Sequence, residues 1–342
     1  MKPLFILLAL AYSICLGQDH AVNKVQFPTD NRNLLNGKFS QFYMYTDRYF
    51  EGVRSKPWQG GLYGFSRNQK RHGNDIIMTR FHEGVDIRPL YRDGNQVPQD
   101  LIKPISPGKV VHVNDDTSKS SYGKYLVIEH DTYSGKLYSL YAHLASIWVK
   151  RGKKVTTDTT IGRLGYTGNG LNKERAHLHI ELNLLISKDF EDWHGKHYTS
   201  PSHHDIYNGI NMVGLPLHHF FKSGKMPYMA HYRKQLQPYY TAIVKRTKNK
   251  PTLIKNYPWL LDGQELSSSP SWEITLTGSG IPLKMVPSQR KVSEKYPQVA
   301  QLHTHVRYPH SWQTKGRLTG TGSKAQITPS GVRYLQLLTE GF

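Results

Sequence analysis

The sequence predicts a mainly β fold organised on an antiparallel sheet, and three observations carry that prediction. From about residue 105, short runs of β-branched and aromatic residues alternate with turn formers, at 109–113, 125–130 and 136–144. The Asp131-Thr132-Tyr133-Ser134-Gly135 stretch is short enough to close the last two runs into a hairpin. Residues 177–182 read His-Leu-His-Ile-Glu-Leu, the strict alternation of a strand with one apolar face.

Taken in order, the chain begins with one positive charge and a short apolar run over residues 2–11, ending near the small residue Gly17. This pattern predicts a secretory signal peptide over 1–17 and an exported product, secreted or retained in the periplasm or cell envelope. The run is too short to span a membrane, and no later stretch approaches the roughly 18 apolar residues a spanning helix needs, so no transmembrane segment is expected in the mature chain. Cys15 is the only cysteine. Its removal leaves neither disulfides nor thiolate ligands, so a metal site would have to use His, Asp or Glu.

Residues 18–73 form an extension dense in aromatics, among them Phe39, Phe42, Tyr43, Tyr45, Tyr49 and Phe50, and these are expected to pack on a neighbouring core. A central region over 74–188 holds the predicted sheet. Beyond it, 189–342 is a basic extension with a small α+β unit expected from about 271: residues 272–277 read as a strand, and Thr328-Pro329 opens a helix through Leu337 or Leu338. Residues 200–342 carry 18 Lys and Arg against 6 Asp and Glu, the larger part of a net charge of +20. Such a field favours anionic partners, which for an exported protein means the anionic polymers of a cell envelope. No nucleic-acid motif accompanies the charge, so nucleic acid is not expected. The Gly165-Tyr166-Thr167-Gly168-Asn169-Gly170 loop precedes a strand, where a phosphate cradle would open a helix, and is read as a turn.

Five residues carry the chemistry. Alternation puts His177, His179 and Glu181 on one face of their strand, and Ser139, Tyr141 and His143 together on the 136–144 strand, so that His143 is expected to reach a cleft above the sheet. His82 and Asp86 lie four apart; Gly84 and Val85 suit a bend or irregular strand as well as the spacing suits a helix, and either brings both groups to one ion. The pairs His203-His204 and His218-His219 and the triplet His303-Thr304-His305 have no carboxylate at ligand spacing and are read as surface or packing residues.

In their order and spacing, His82-x-x-x-Asp86, Tyr141-x-His143 and His177-x-His179 resemble the signature of the lysostaphin-type (LytM-like) zinc metalloendopeptidases, which are peptidoglycan hydrolases. Residues 104–111 resemble that family's first core strand, and Gly152 to Val155, Ile161-Gly162 and Thr167-Gly168 its connecting turns. The likeness covers roughly 74–187. It implies a lysostaphin-like (duplicated hybrid motif) antiparallel catalytic domain, one zinc ion held by His82, Asp86 and His179, and catalytic roles for His143 and His177 beside the bound water. It further implies peptidoglycan peptides as substrates, with cleavage of amides in their stems or cross-bridges. A noncatalytic envelope-binding regulator, or an activator of another wall hydrolase, is the alternative, although such relatives typically lack part of the zinc set and all five positions are present here. The Lys173-Glu174-Arg175-Ala176 approach to His177 is more charged than the family's usual one.

Overall fold

The structure, a computed structural model, describes residues 23–44, 49–54, 60–247, 249–263, 268–293 and 296–342. The expected signal peptide therefore lies outside the described residues. No described helix is long and apolar enough to cross a membrane.

The predicted antiparallel sheet is present. Its strands run in the order Lys154–Val155, Gly108–Asn114, Tyr125–Thr132, Gly135–Ala142, Leu178–Leu185 and Met212–Gly214, with Val85–Ile87 pairing beside Met212–Gly214 on the Leu178–Leu185 edge. One face is largely apolar: Leu126, Ile128, Leu137, Tyr141, Leu178, Ile180 and Leu182 all join the main core, with Ser139 and His130 buried among them. The opposite face carries a smaller cluster of Tyr125, Val127, Tyr138, Leu140 and Ala142, and beyond it the polar residues of the cleft. Because both faces are covered, every residue of Leu178–Leu185 is buried, which makes it a stiff platform for a side chain that must not move.

Part of the aromatic extension packs as expected, whereas Tyr49 is exposed and Tyr45 lies outside the described residues. Val25, Phe27, Leu34, Phe42 and Tyr43 enter the main core, and the Met44 amide donates to the Asp86 carbonyl. Strands Gly64–His72 and Asp75–His82, absent from the sequence reading, pair as a hairpin around the two-residue turn Gly73-Asn74. The limit drawn between 18–73 and 74–188 falls in that turn.

Toward the C-terminus a second antiparallel sheet has the order Pro282–Ser288, Ser271–Leu276, Tyr240–Lys245, Gln298–Leu302. It draws in Tyr240–Lys245, upstream of the unit expected from 271. Helix Pro329–Thr339 follows, with the Thr328 side chain accepting from the Gly331 amide as an N-cap and Pro329 at its first position. The two sheets share one core, and Tyr257 ties them by donating to the Lys136 carbonyl while accepting from the Leu185 amide.

Candidate metal centre

His82 ends the long hairpin, Asp86 sits at the middle of Val85–Ile87, and His179 lies directly across from Asp86 in the sheet register. The left-open geometry of the His82–Asp86 spacing is thus a tight bend between two strands. Gly84 makes the bend possible: a Cβ there would meet the Ile180 carbonyl at 2.4 Å and the His179 ring at 3.0 Å, so no other residue lets this turn lie against the Leu178–Leu185 strand.

Three ligand atoms converge. His82 Nε2 is 3.1 Å from His179 Nδ1, and Asp86 Oδ1 is 3.1 Å from the first and 2.9 Å from the second. Each imidazole is fixed from behind. His82 Nδ1 donates to the Leu62 carbonyl at 2.8 Å, and His179 Nε2 donates to Glu181 Oε1 at 2.8 Å. With those protons committed, two nitrogen lone pairs and a carboxylate oxygen face one another, an arrangement that is repulsive unless a cation or a proton lies among them. A tetrahedral zinc with bonds of about 2.0–2.1 Å sets its ligand atoms about 3.3 Å apart, so the nitrogen and oxygen donors of this cluster fit that ion. Burial pulls His179 down, but its hydrogen bonds with Asp86 and Glu181 prevail and raise it to about 10. Asp86 is pushed up by burial and held well below its ordinary value by His82, His177 and the bonds it accepts. Without an ion, the ionised Asp86 thus keeps a proton on His179, in the place a cation would take.

Around the ligands lies an outer layer that sequence reasoning did not assign. Glu181, seen in the strand alternation but given no role, accepts from Tyr122 Oη at 2.9 Å and from the Asn183 amide at 3.0 Å as well as from His179. Arg67 on the hairpin donates to Asp86 Oδ2 at 2.6 Å, leaving Oδ1 for the centre. Lys315, from the C-terminal region, pairs with Glu83 at 2.5 Å. Glu181 alone had a local signal, its place two residues past His179; the others come from distant segments with no spacing to read.

His177 and His143 stand beside the cluster. His177 Nδ1 donates to the Arg175 carbonyl at 2.7 Å, and its Nε2 is 3.5 Å from Asp86 Oδ1. His143 reaches the site by a route the alternation did not predict. The strand ends at Ala142, whose register partner is His179, and Tyr141 faces the main core; a continued pleat would carry His143 to the Tyr141 side, away from the metal ligands. Instead His143 adopts a left-handed φ of +62°, which breaks the pleat and turns its ring into the cleft, 4.9 Å from that of His177 and 5.8 Å from that of His179. The conformation costs a non-glycine residue about 1 kcal/mol or more. The Gly165–Gly170 loop holds it there: His143 Nδ1 donates to the Thr167 carbonyl at 2.8 Å, and Gly168, at φ +108°, packs so closely that a Cβ would lie 2.4 Å from the Ser121 carbonyl. Burial, reinforced by His177 and His179, keeps His143 well below its ordinary pKa, and burial lowers His177 too. Both are neutral bases near pH 7.

The cleft over this group measures about 790 Å³, with Arg67, Lys70, Tyr122, Arg175 and Lys315 in its walls. Among the described residues, His82, Asp86 and His179 are the one grouping of three or more His, Asp or Glu with ligand atoms close enough to share an ion, all within 4.8 Å.

Residues 80–190 match peptidase family M23. Among solved structures, the chain is similar to an M23 peptidase structure from Pseudomonas aeruginosa at 26% identity, covering 30% of this chain and 37% of that one with a TM-score of 0.24. It is similar also to a zinc-containing peptidase from Vibrio cholerae at 23% identity, covering 46% and 36% with a TM-score of 0.28. The catalytic domain of the antimicrobial peptidase lysostaphin from Staphylococcus simulans is 23% identical over 44% of this chain and 83% of that one, with a TM-score of 0.26. The chain spans little more than a third of the length of the first two structures. No curated protein matches. The segment that matches peptidase family M23, residues 80–190, carries all five residues: His82 and Asp86 on either side of the bend, His143 just past the end of its strand, His177 just before Leu178–Leu185 and His179 within it.

Proposed function

We propose that the protein is an exported zinc metalloendopeptidase that hydrolyses amide bonds in the peptide stems or cross-bridges of peptidoglycan, with His82, Asp86 and His179 as ligands of one zinc ion and His143 and His177 as catalytic residues. The observation that carries this reading is the convergence of three buried ligand atoms from three separate elements, each braced by a hydrogen bond from outside the cluster. Bound there, zinc would supply Lewis acidity and lower the pKa of a water toward about 7.

The chain's own residues divide the remaining work. His143 and His177 each commit Nδ1–H to a backbone carbonyl, leaving Nε2 of each as an acceptor within the cleft. One neutral imidazole can take the proton of an attacking water, and in its protonated form either can stabilise the tetrahedral oxyanion or return the proton to the departing amine. Arg67 holds Asp86 from the far side, and Glu181 keeps His179 from rotating.

Digestion of purified muropeptides by the wild type, His179→Ala and His143→Ala, with metal analysis of each, tests the assignment. His179→Ala is expected to lose zinc and all turnover, whereas His143→Ala keeps zinc and loses about 10²- to 10⁴-fold in kcat. A wild type that is inactive and binds no zinc overturns it. The basic region 200–342 supports a second part of the reading, adhesion to anionic envelope polymers. Binding of whole sacculi is then expected to fall steeply with salt; salt-insensitive binding contradicts it.

A further inference from the structure

The loop joining Gln298–Leu302 to Leu318–Thr319 belongs to the C-terminal region, yet it follows the catalytic hairpin from tip to root. At the tip, the Trp312 ring meets His72 edge-on at 6.1 Å, and Lys70 lies over Trp312 at 5.3 Å. Halfway down, the Gln313 side-chain amide donates to the Met78 carbonyl at 2.7 Å, on the strand that ends in His82. At the root, the Lys315 ammonium lies 5.3 Å from the Phe81 ring and pairs with Glu83, the residue after the ligand.

Lys315 is delivered at a conformational cost. Its φ is +53°, followed by Gly316 at +73°, and a left-handed lysine is a conformation L side chains avoid unless the surroundings impose it. The surroundings do so: Thr314 Oγ1 donates to the His310 carbonyl and accepts from the Leu318 amide, and Thr328 Oγ1 donates to the Gly316 carbonyl. On the other side, the Glu83 carbonyl packs against Gly214, where a Cβ would lie 2.3 Å away. Glu83 is thus held between a fixed backbone and a fixed ammonium, and the turn that sets the direction of His82 is held with it.

We propose that Lys315 is a positioning residue of the metal centre, acting through Glu83 on the His82–Gly84 turn, so that the C-terminal region is an integral part of the site formed by residues 80–190. This rests on the reading of His82, Asp86 and His179 as zinc ligands. Without Lys315 the Glu83 carboxylate, three-quarters buried, has lost its cation. It turns outward for water and takes the turn and His82 with it. Removing both charges leaves nothing to solvate, and the turn stays in place.

The test is zinc affinity by chelator competition on the full chain for the wild type, Lys315→Met, Lys315→Arg, Glu83→Gln and the double variant Lys315→Met/Glu83→Gln, with thermal melts as a folding control. Lys315→Met is expected to bind zinc about 10- to 100-fold more weakly, the range for loss of an outer-layer partner. Lys315→Arg and the double variant are expected within about threefold of wild type. Wild-type affinity in Lys315→Met, or equal weakening in the single and double variants, overturns the proposal while leaving the zinc reading intact; a wild type that binds no zinc overturns both. Where Lys315→Met does not fold, the double variant carries the test, because it leaves no unpaired charge, and an affinity more than tenfold below wild type in it overturns the proposal.

Discussion

Two neighbouring strands deliver histidines to the same cleft by opposite means. Leu178–Leu185 does so by regularity: the pleat that buries Leu178, Ile180 and Leu182 in the core turns His179 and Glu181 to the cleft, and Glu181 then braces His179. Gly135–Ala142 does so by stopping. Its pleat would send the next side chain into the core, and only the left-handed φ at His143 redirects it. A period-two pattern therefore reports where a side chain goes only as far as the ladder continues, and the residue just past a strand end is placed by its backbone dihedral and by whatever holds that dihedral.

The largest expected effect probes the core face that the two strands share. His130 is fully buried behind Ser139, with Nδ1 donating to the Pro107 carbonyl and Nε2 2.7 Å from the serine oxygen. Burial pulls its pKa down to about 4 from an ordinary value near 6.5. Over the interval between those values the unfolded chain binds the proton and the folded chain does not. Its contribution to stability is therefore whole above pH 6.5 and declines as the pH falls toward 4, by up to about 3 kcal/mol. Urea unfolding of metal-free protein at pH 7 and pH 4 should show a smaller loss in His130→Gln than in the wild type. Equal losses would mean that this face does not exclude the proton.

A smaller effect isolates the regular strand. Glu181→Ala removes the acceptor that fixes His179 Nε2, and zinc affinity by chelator competition should fall about 10- to 100-fold. An unchanged affinity would show that the pleat alone suffices. The smallest effect isolates the turned residue: Gly168→Ala crowds the loop whose Thr167 carbonyl holds His143, so kcat should fall about tenfold while zinc affinity stays at the wild-type value. A fall in both would mean that the two histidine supports are not separable.

The same contrast explains what the sequence could disclose. The strands near 109 and 125 were legible as short β-branched and aromatic runs between turn formers, the strand near 178 because its apolar residues alternate with polar ones, and the helix after Thr328 because a capping threonine and a proline mark its start. The hairpin Gly64–His72 and Asp75–His82 was not, because the polar run over residues 67–72 and the consecutive apolar Ile76, Ile77 and Met78 show no alternation, and its tip packs on the remote segment around Trp312 rather than on a nearby core. Its signal, Gly73-Asn74 between two extended runs, sat at the border drawn between two regions. All five candidate site residues meet at one cleft, His143 by the wrong predicted route. Arg67 and Lys315 lay beyond reach, since a pairing such as Lys315 with Glu83 joins positions 232 apart in the chain and leaves no period behind.

His82 and His179 turn different nitrogens inward, Nε2 from the first and Nδ1 from the second, because the Leu62 carbonyl backs the Nδ1 of one and the Glu181 carboxylate the Nε2 of the other. With a cation held between them they would be opposite tautomers, the protonated nitrogen being the δ in His82 and the ε in His179. To nitrogen NMR the pair is not two copies of one ligand but two distinguishable probes. Each would carry its own coupling pattern to the ring carbons, so that exchange of the ion, or loosening of either backing partner, would register separately at each side of the centre.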